Sequence, residues 1–278
     1  MRSNKVYRRL SLREERKDQK DRFLEKDRSD VTEVFEDVFD RLTLMTIYEL
    51  MNRGVMDHLE GVVNEGKESK IYLAKGRSGE ELAVKIYLVV NVEFRRKRVE
   101  YVTGDPRFEK VPHNLRRFVY LWALREYENL KAAYYSNVRV PEPIAVKRNV
   151  LVMRFLGVDG RRYPLLREYV PEAADEYSSI YDLVIANLKK LYTGASMVHG
   201  DLSEYNVLVA SPTEIYFIDL SQAIGVTHHR AGELLYRDLV HVNNFFRRRG
   251  VDVIDEVQIY KELTGRDPPI GSSYIRSE

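Results

Sequence analysis

Apolar positions first recur with a clear period at residue 31, where Val31, Val34, Phe35, Val38, Phe39 and Leu42 fall at helical spacing. Asp30 and Glu33 ahead of them are spaced like a capping box. A second short helix is expected from about Thr43 to Gly54, so two helices precede the first strand. Residues 1–29 are densely charged with mixed signs and little apolar period, and they read as a mobile arm or an exposed helix. Past Gly54 the period shortens. Segments 59–63 and 71–74 predict strands joined by Asn64-Glu65-Gly66-Lys67-Glu68-Ser69, and Gly76-Arg77-Ser78-Gly79 turns the chain into a third strand over 81–89. Residues 90–111 are polar and irregular, which predicts a long functional or mobile loop. Leu115, Phe118, Val119, Trp122 and Leu130 then mark a helix, and Pro141 and Pro143 punctuate the approach to an apolar strand over 150–155.

Beyond that strand the pattern is mostly helical. An amphipathic helix is expected over 181–192, short strands over 207–209 and 215–218 flank Ser211-Pro212, and helices cover about 230–249 and 252–263. No internal repeat or low-complexity tract occurs. A β-rich first half and an α-rich second half predict an α/β (α+β) chain of two lobes with a cleft between them. The divisions are a charged arm and accessory helices over 1–54, a sheet lobe with one helix over 55–152, a connection over 153–160, and a helical lobe over 161–278.

Composition narrows this modestly. At 278 residues and 44% apolar content, one large domain or two associated lobes have ample core. No stretch approaches the roughly 20 apolar residues needed to span a bilayer. Arg2, Lys5, Arg8 and Arg9 lead into no apolar signal core, and Glu14, Glu15 and Asp18 follow at once, against a transit peptide. With no cysteine, neither disulfides nor thiolate metal ligands are available, and an intracellular, cytoplasmic protein without membrane partners is expected. The net charge of +2 says little, but Arg95-Arg96-Lys97-Arg98, Arg116-Arg117 and Arg247-Arg248-Arg249 are basic clusters. They read as solvated faces of a highly charged chain, or as contacts to RNA phosphates if several share one face.

The chemistry concentrates in Val198-His199-Gly200-Asp201-Leu202-Ser203-Glu204-Tyr205-Asn206, followed by Ile218-Asp219. An Asp, an Asn five residues on, and a second Asp after an apolar run form a phosphoryl-transfer constellation: one Asp accepts a hydroxyl proton, while Asn and the later Asp hold metal ions. Asn206 and Asp219 are hard oxygen donors suited to Mg2+ or Mn2+. Lys85 lies in the apolar run Leu82-Ala83-Val84-Lys85-Ile86-Tyr87, where a buried ammonium requires an anion. Glu126 shares a helical stripe with Phe118, Trp122 and Leu130 and is the expected partner; Glu128 lies roughly 200° round the helix. The single-glycine loop Glu65-Gly66-Lys67-Glu68-Ser69 is neither a Walker A sequence nor a three-glycine kinase loop, yet its backbone and the Ser69 hydroxyl could hold phosphates.

With these residues in view, the chain resembles the RIO family of atypical protein kinases over roughly residues 30–260. Gly66-Lys67-Glu68-Ser69 with Ile71-Tyr72 is similar to the family's phosphate loop. Asp201-Leu202-Ser203-Glu204-Tyr205-Asn206, Ile218-Asp219-Leu220-Ser221-Gln222-Ala223, Tyr101-Val102-Thr103-Gly104 and Asn243-Asn244-Phe245-Phe246 resemble the Rio-one subfamily. The resemblance implies a trimmed, two-lobed kinase fold and ATP as ligand. It implies Asp201 as catalytic base, Asn206 and Asp219 on divalent metal, and Lys85 on phosphate. The backbone of Arg154 and Leu156 would meet the adenine edge, with Met153 lining the pocket. It further implies serine autophosphorylation, ATP hydrolysis, an aspartyl-phosphate at Asp219, and a partner in the small-subunit pre-ribosome, its rRNA and ribosomal proteins. Asn64-Glu65 stand where the family commonly has Ser-Thr, and Arg154 replaces a usual acidic residue.

Two other readings compete. Small-molecule phosphotransferases of the aminoglycoside or choline kinase type share His-Gly-Asp, a following Asn and a later Asp, but Ser221-Gln222-Ala223 argues against them. An assembly factor using ATP only as a conformational ligand is the second. A zinc site at His228, His229 and His241 is disfavoured, since the first two are adjacent and no fourth ligand is evident.

Overall fold

The computed structural model of the chain describes residues 40–89, 92–108 and 110–269. The charged arm over 1–29 and the stripe from Val31 to Phe39, with its capping box, lie outside the described residues. Helix α1 (Arg41–Asn52) starts on Asp40, whose Oδ1 accepts the Leu42 N–H at 3.0 Å and the Thr43 N–H at 3.3 Å. It ends where expected, in a turn closed by Gly54 N–H to Met51 O and Val55 N–H to Leu50 O.

An antiparallel five-stranded sheet follows, ordered β1 (His58–Glu65), β2 (Ser69–Lys75), β3 (Glu81–Tyr87), β5 (Val150–Arg154), β4 (Pro143–Lys147). β3 lies at its centre and Val84 and Ile86 are fully buried, which explains its near-continuous apolar run. β4 was not expected from the sequence. It is an edge strand whose residues are all half-buried, and its Pro143 occupies the first position, where a missing N–H costs no ladder bond. No alternation therefore marked it.

The expected irregular stretch over 90–111 instead contains helix α2 (Val92–Val102). Phe94, Tyr101 and Val102 do fall at helical spacing, but the middle of the stripe is Arg98, whose guanidinium carbon lies 4.5 Å from the Phe94 ring centroid and 5.6 Å from that of Trp122. An arginine stem substitutes for an apolar side chain there and conceals the period. Helix α3 (Leu115–Tyr135) is capped by Asn114 and packs against β4 and β5. Phe118 and Trp122 stack at 6.2 Å with Phe94 edge-on at 6.1 Å, an aromatic knot that locks α2 onto α3.

After β5 comes a hairpin, β6 (Gly157–Val158) with β7 (Arg161–Arg162), which starts in the expected connection over 153–160 and runs two residues past its end. Asp159 and Gly160 both have positive φ, 50° and 74°, the turn for which Asp-Gly is suited. The helical part holds α4 (Glu176–Thr193), the pairs β8 (Met197–Val198) with β11 (Ile224–Gly225) and β9 (Val207–Ser211) with β10 (Glu214–Phe217), then α5 (Ala231–Arg247) and α6 (Glu256–Thr264). α4 begins earlier than the expected 181 because Glu176 binds the Glu172 and Ala173 N–H groups and the Tyr169 hydroxyl. Among the described residues no helix is long and apolar enough to cross a membrane. The result is a two-lobed, kinase-like α/β fold in which the cleft opens between the sheet and the β9–β10 hairpin.

Candidate active site

β3 carries Lys85 between Ile71 of β2 and Leu151 of β5, so its stem has strand on both sides. With 5% of the side chain exposed, its ammonium needs compensation. It finds two carboxylates: Glu126 Oε1 at 2.8 Å and Asp219 Oδ1 at 3.0 Å. Burial opposes its charge, but Asp219 and Glu126 outweigh this and hold the ammonium well above its ordinary value. Burial lifts the Glu126 carboxyl above the usual range, with Lys85 pulling the other way; its second oxygen accepts the Tyr87 hydroxyl. Glu126 reaches this position because it occupies the buried stripe of α3, as its spacing predicted.

Asp219 follows β10 and adopts the left-handed conformation, φ 58° and ψ 65°, uncommon outside glycine although aspartate and asparagine enter it more readily than other residues. Such a residue costs on the order of 1–3 kcal/mol and persists only where its surroundings over-determine it. Here they do. Ile218 N–H donates to Asn206 O at 3.0 Å, and Asn129 Nδ2 of α3 donates to Leu220 O at 2.9 Å and Ala223 O at 3.1 Å. Arg125, wholly buried one residue before Glu126, gives one nitrogen to Ser221 O at 2.5 Å and another to Ala223 O. Desolvation by the cleft walls works against the Asp219 charge, yet Lys85 holds the carboxyl far below the normal aspartate range. Its side chain is 45% exposed, so water in the cleft tempers both effects.

Asp201 sits on a loop braced from behind. Gly200 takes φ +76°, and a Cβ there would stand 3.0 Å from Gln222 O, so the approach to Asp201 requires glycine. Asp238 of α5, 1% exposed, accepts Gly200 N–H at 2.8 Å and Leu202 N–H at 3.0 Å, while Arg237 donates to Gly200 O. Burial pushes the Asp238 carboxyl up to about 7. His199 bonds Ile218 O through Nε2 at 3.1 Å, and burial pushes it down to about 4, so it is a neutral spacer between the two Asp-bearing segments. Asp201 as a residue is exposed, but partial desolvation of its carboxyl and the nearby Asp219 charge lift it above the usual value. Gln222 Nε2 donates to Asp201 Oδ2 at 3.0 Å, and Asn206 Nδ2 donates to Asp201 O at 2.7 Å. The second bond uses the Asn206 amide nitrogen and leaves its oxygen unbonded among the described residues, and Asn206 lines the cleft with Asp219.

One cleft thus gathers Lys85, Glu126, Asn206, Asp219 and Ser69 against apolar walls that include Val63, Ala83, Met153, Leu156 and Ile218. Gly66 and Lys67 do not line it: both are exposed at the hairpin tip, where Gly66 N–H closes the turn onto Ser69 O at 2.9 Å. Arg154 N–H is committed to Glu142 O at 2.8 Å and Leu156 O accepts Tyr163 N–H at 3.0 Å. Arg154 and Leu156 both line the cleft beside Met153, and among the described residues the Leu156 N–H makes no turn or loop bond. His228 and His229 stack on each other at 4.3 Å, away from this site.

A family model described as the RIO domain matches residues 70–259. The chain belongs to the RIO family of protein kinases. The RIO-type serine/threonine-protein kinase Rio1 of Haloferax volcanii is 41% identical over 240 residues, covering 85% of this chain and 79% of that protein. Rio1 of Methanocaldococcus jannaschii is 36% identical over 242 residues, 86% and 80% of the two chains. Human serine/threonine-protein kinase RIO1 is 35% identical over 257 residues, but this RIO chain, 92% of it aligned, spans only 44% of that protein. Among solved structures, the ADP/Mg2+-phosphoaspartate complex of Rio2 kinase from Chaetomium thermophilum superposes with a TM-score of 0.60 at 25% identity, covering 80% of this chain and 66% of that one.

The sequence reading passed over Arg125, Asn129, Asp238 and Gln222. The first three carried the signal that revealed Glu126, a polar residue on an apolar helical stripe. Gln222 stands in the Ser221-Gln222-Ala223 motif that carries the resemblance, but nothing in the motif marks it as the partner of Asp201.

Proposed function

We propose that this RIO kinase binds ATP with Mg2+ or Mn2+, hydrolyses it and autophosphorylates on serine, and acts in the cytoplasm in maturation of the small ribosomal subunit. The observation that carries the nucleotide reading is the meeting of Lys85, Asn206 and Asp219 in one cleft that Met153, Arg154 and Leu156 also line. In this reading the lobes are 55–152 and 161–278, joined by 153–160, as the cleft's position suggests. The Arg154 carbonyl and Leu156 N–H meet the adenine edge, and Met153 lines the pocket. Lys85, Ser69 and the backbone at Gly66 and Lys67 take the phosphates, which requires the exposed hairpin tip to close over them.

The metal's donors fit hard-ion chemistry: an amide oxygen freed by the Asn206–Asp201 bond and a carboxylate kept ionised by Lys85. A divalent cation held there neutralises phosphate charge. Asp201 has the raised basicity and the Gln222-fixed orientation of a general base for a serine hydroxyl or a water. The Chaetomium Rio2 complex contains a phosphoaspartate. By the same chemistry an Asp219 oxygen forms a bond to the γ-phosphorus as the bond to ADP breaks and ADP leaves. Water then loses a proton to Asp201 and attacks the acyl phosphate, releasing phosphate and restoring the carboxylate.

Incubation with γ-labelled ATP tests this. Slow phosphate release and a hydroxylamine-labile label are expected; Asp219→Asn loses both, and Asp201→Ala retains label but stops release. A label that survives in Asp219→Asn and resists hydroxylamine overturns the aspartyl-phosphate. Small-subunit precursor particles should stimulate hydrolysis. If Asp201→Ala abolished hydrolysis yet left subunit maturation intact in cells, the ribosomal role of turnover would be wrong.

A further inference from the structure

The run Arg95-Arg96-Lys97-Arg98 has the composition of a nucleic-acid patch, but α2 splits it. The Arg96 side chain is 76% exposed and pairs with Glu93 on its own helix, and Arg95 Nε is spent on Pro112 O at 3.0 Å. Arg98 turns inward instead, with only 15% of its side chain exposed. We propose that Arg98 is a phosphate-binding residue of the transfer reaction, held beside the cleft by Glu68 until nucleotide arrives. This rests on the reading of the cleft as an ATP site.

Three observations converge. The guanidinium is fixed from behind by the rings of Phe94 and Trp122, so its plane is held by the rigid α2–α3 knot. Its Nη2 donates to Glu68 Oε2, in the hairpin loop that would cover the phosphates. Its charge is also felt at Asp201, where it is the weakest of the influences on the carboxyl and favours the ionised form. One cation is therefore bound to the loop residue that precedes Ser69, itself on the cleft wall, and lies close enough to the base for its charge to be felt there.

The charge balance points the same way. Lys85 already has carboxylates at 2.8 and 3.0 Å, so it brings no uncompensated charge to the nucleotide. Glu68 is Arg98's one hydrogen-bond partner among the described residues, which leaves most of its five N–H donors open. A planar fork suits the equatorial oxygens of a phosphoryl group better than an ammonium does. Glu68 is tethered through its backbone, Leu88 N–H to Glu68 O at 2.9 Å, so its 42% exposed carboxylate can release Arg98 without moving the strand.

The alternative is a plain staple between α2 and the hairpin, and three variants of the full chain separate the two. Arg98→Met keeps the stem over Phe94 and Trp122, Arg98→Lys keeps the charge, and Glu68→Gln frees the guanidinium. Binding of Mg-ATP and Mg-ADP, single-turnover phosphate release and melting temperature are measured for each. Arg98→Met should lose about 10³-fold in turnover, the scale of an arginine acting on the transferred phosphate. It should weaken ATP binding and leave ADP binding as in the wild type, with Arg98→Lys intermediate. Glu68→Gln should tighten ATP binding. Equal losses in Arg98→Met and Glu68→Gln with parallel falls in melting temperature would mean a staple and overturn the proposal, as would ADP and ATP weakened alike. A wild-type chain that neither binds ATP nor releases phosphate would instead bring down the nucleotide reading itself.

Discussion

Replacing Lys85 with methionine keeps a stem of similar length and removes the ammonium on which two carboxylates depend. The cost does not divide evenly. Asp219 is 45% exposed on the cleft and can be solvated, whereas the Glu126 side chain is 1% exposed and cannot. Breaking a buried pair by deleting one partner costs about 3–5 kcal/mol, and with one carboxylate rescued by water the lower end applies, about 3 kcal/mol. For a folded unit of this size that is a fall of roughly 6–12 °C in melting temperature. Glu126 escapes by taking up a proton. Its folded pKa then lies above its unfolded value, so Lys85→Met is least harmed at acid pH below the unfolded value, and the defect grows as pH rises from there toward the folded one. The single tryptophan, Trp122, is buried in the aromatic knot of the same helix as Glu126, so its fluorescence in urea or heat reports this unfolding directly. Adding Glu126→Gln to Lys85→Met removes the orphaned charge and should restore at least half of the loss, while neither variant retains activity. If Lys85→Met melted within about 1 °C of wild type at pH 7.5, less than 1 kcal/mol for such a unit, or if the two substitutions were simply additive, the buried triad would not have the energetics argued from its geometry.

Two further outcomes follow from the groups behind the catalytic loop. His199, pushed down to about 4, contributes stability above its unfolded pKa of 6.5 that is lost as pH falls toward 4; Asp238, pushed up to about 7, does the reverse, its penalty growing as pH rises from 3.8 to 7. Each slope is about 1.4 kcal/mol per pH unit, so they nearly cancel between pH 4 and 6.5; Asp238→Asn should expose a rise of stability with pH and His199→Phe a fall, read by urea titrations across that window, and parallel profiles for both variants would contradict the assignment. Asn129→Ala removes two donors from the carbonyls after Asp219 and the acceptor of Arg107 Nη2, so a loss of about 1–3 kcal/mol is expected, with faster amide exchange confined to residues 220–223.

Legibility in the sequence followed the physics of each element. β3 and the stripe of α3 were readable because burial on both sides demands apolar residues, and a charge in such a run stands out; that is how Lys85 and Glu126 could be paired across 41 residues. The same logic applied to Arg125, Asn129 and Asp238, but their partners are backbone carbonyls and N–H groups, which leave no mark on composition. α2 was concealed because Arg98 occupies an apolar position with its stem, and β4 because an edge strand has no face buried deeply enough to alternate. The left-handed backbone at Asp219 was unreadable for a different reason. Bonds from Arg125 and Asn129, nearly a hundred residues away in sequence, are among those that hold the segment in place, and nothing local announces them.

Those bonds also indicate where the site is rigid and where it is not. The floor is fixed from behind: Asp238 and Arg237 hold the Asp201 loop, His199 spaces it from Ile218, and Arg125 and Asn129 hold the segment after Asp219. Apart from the half-buried Arg237 these braces are buried, and each reaches main chain around the two aspartates, so the positions of Asp201 and Asp219 are set by the protein itself. The roof has no equivalent support. β1 pairs with β2 through two irregularities of register, between Leu59 and Val62 and between Val62 and Asn64, and Gly66 and Lys67 at its tip are exposed. The ion pair from Arg98 to Glu68 is the side-chain link between this tip and the rigid α2–α3 knot. A site with a fixed floor and a roof whose side-chain tether to the α2–α3 knot is an exchangeable ion pair concentrates its adjustment on the phosphates, which is where a reaction that moves a phosphoryl group requires it.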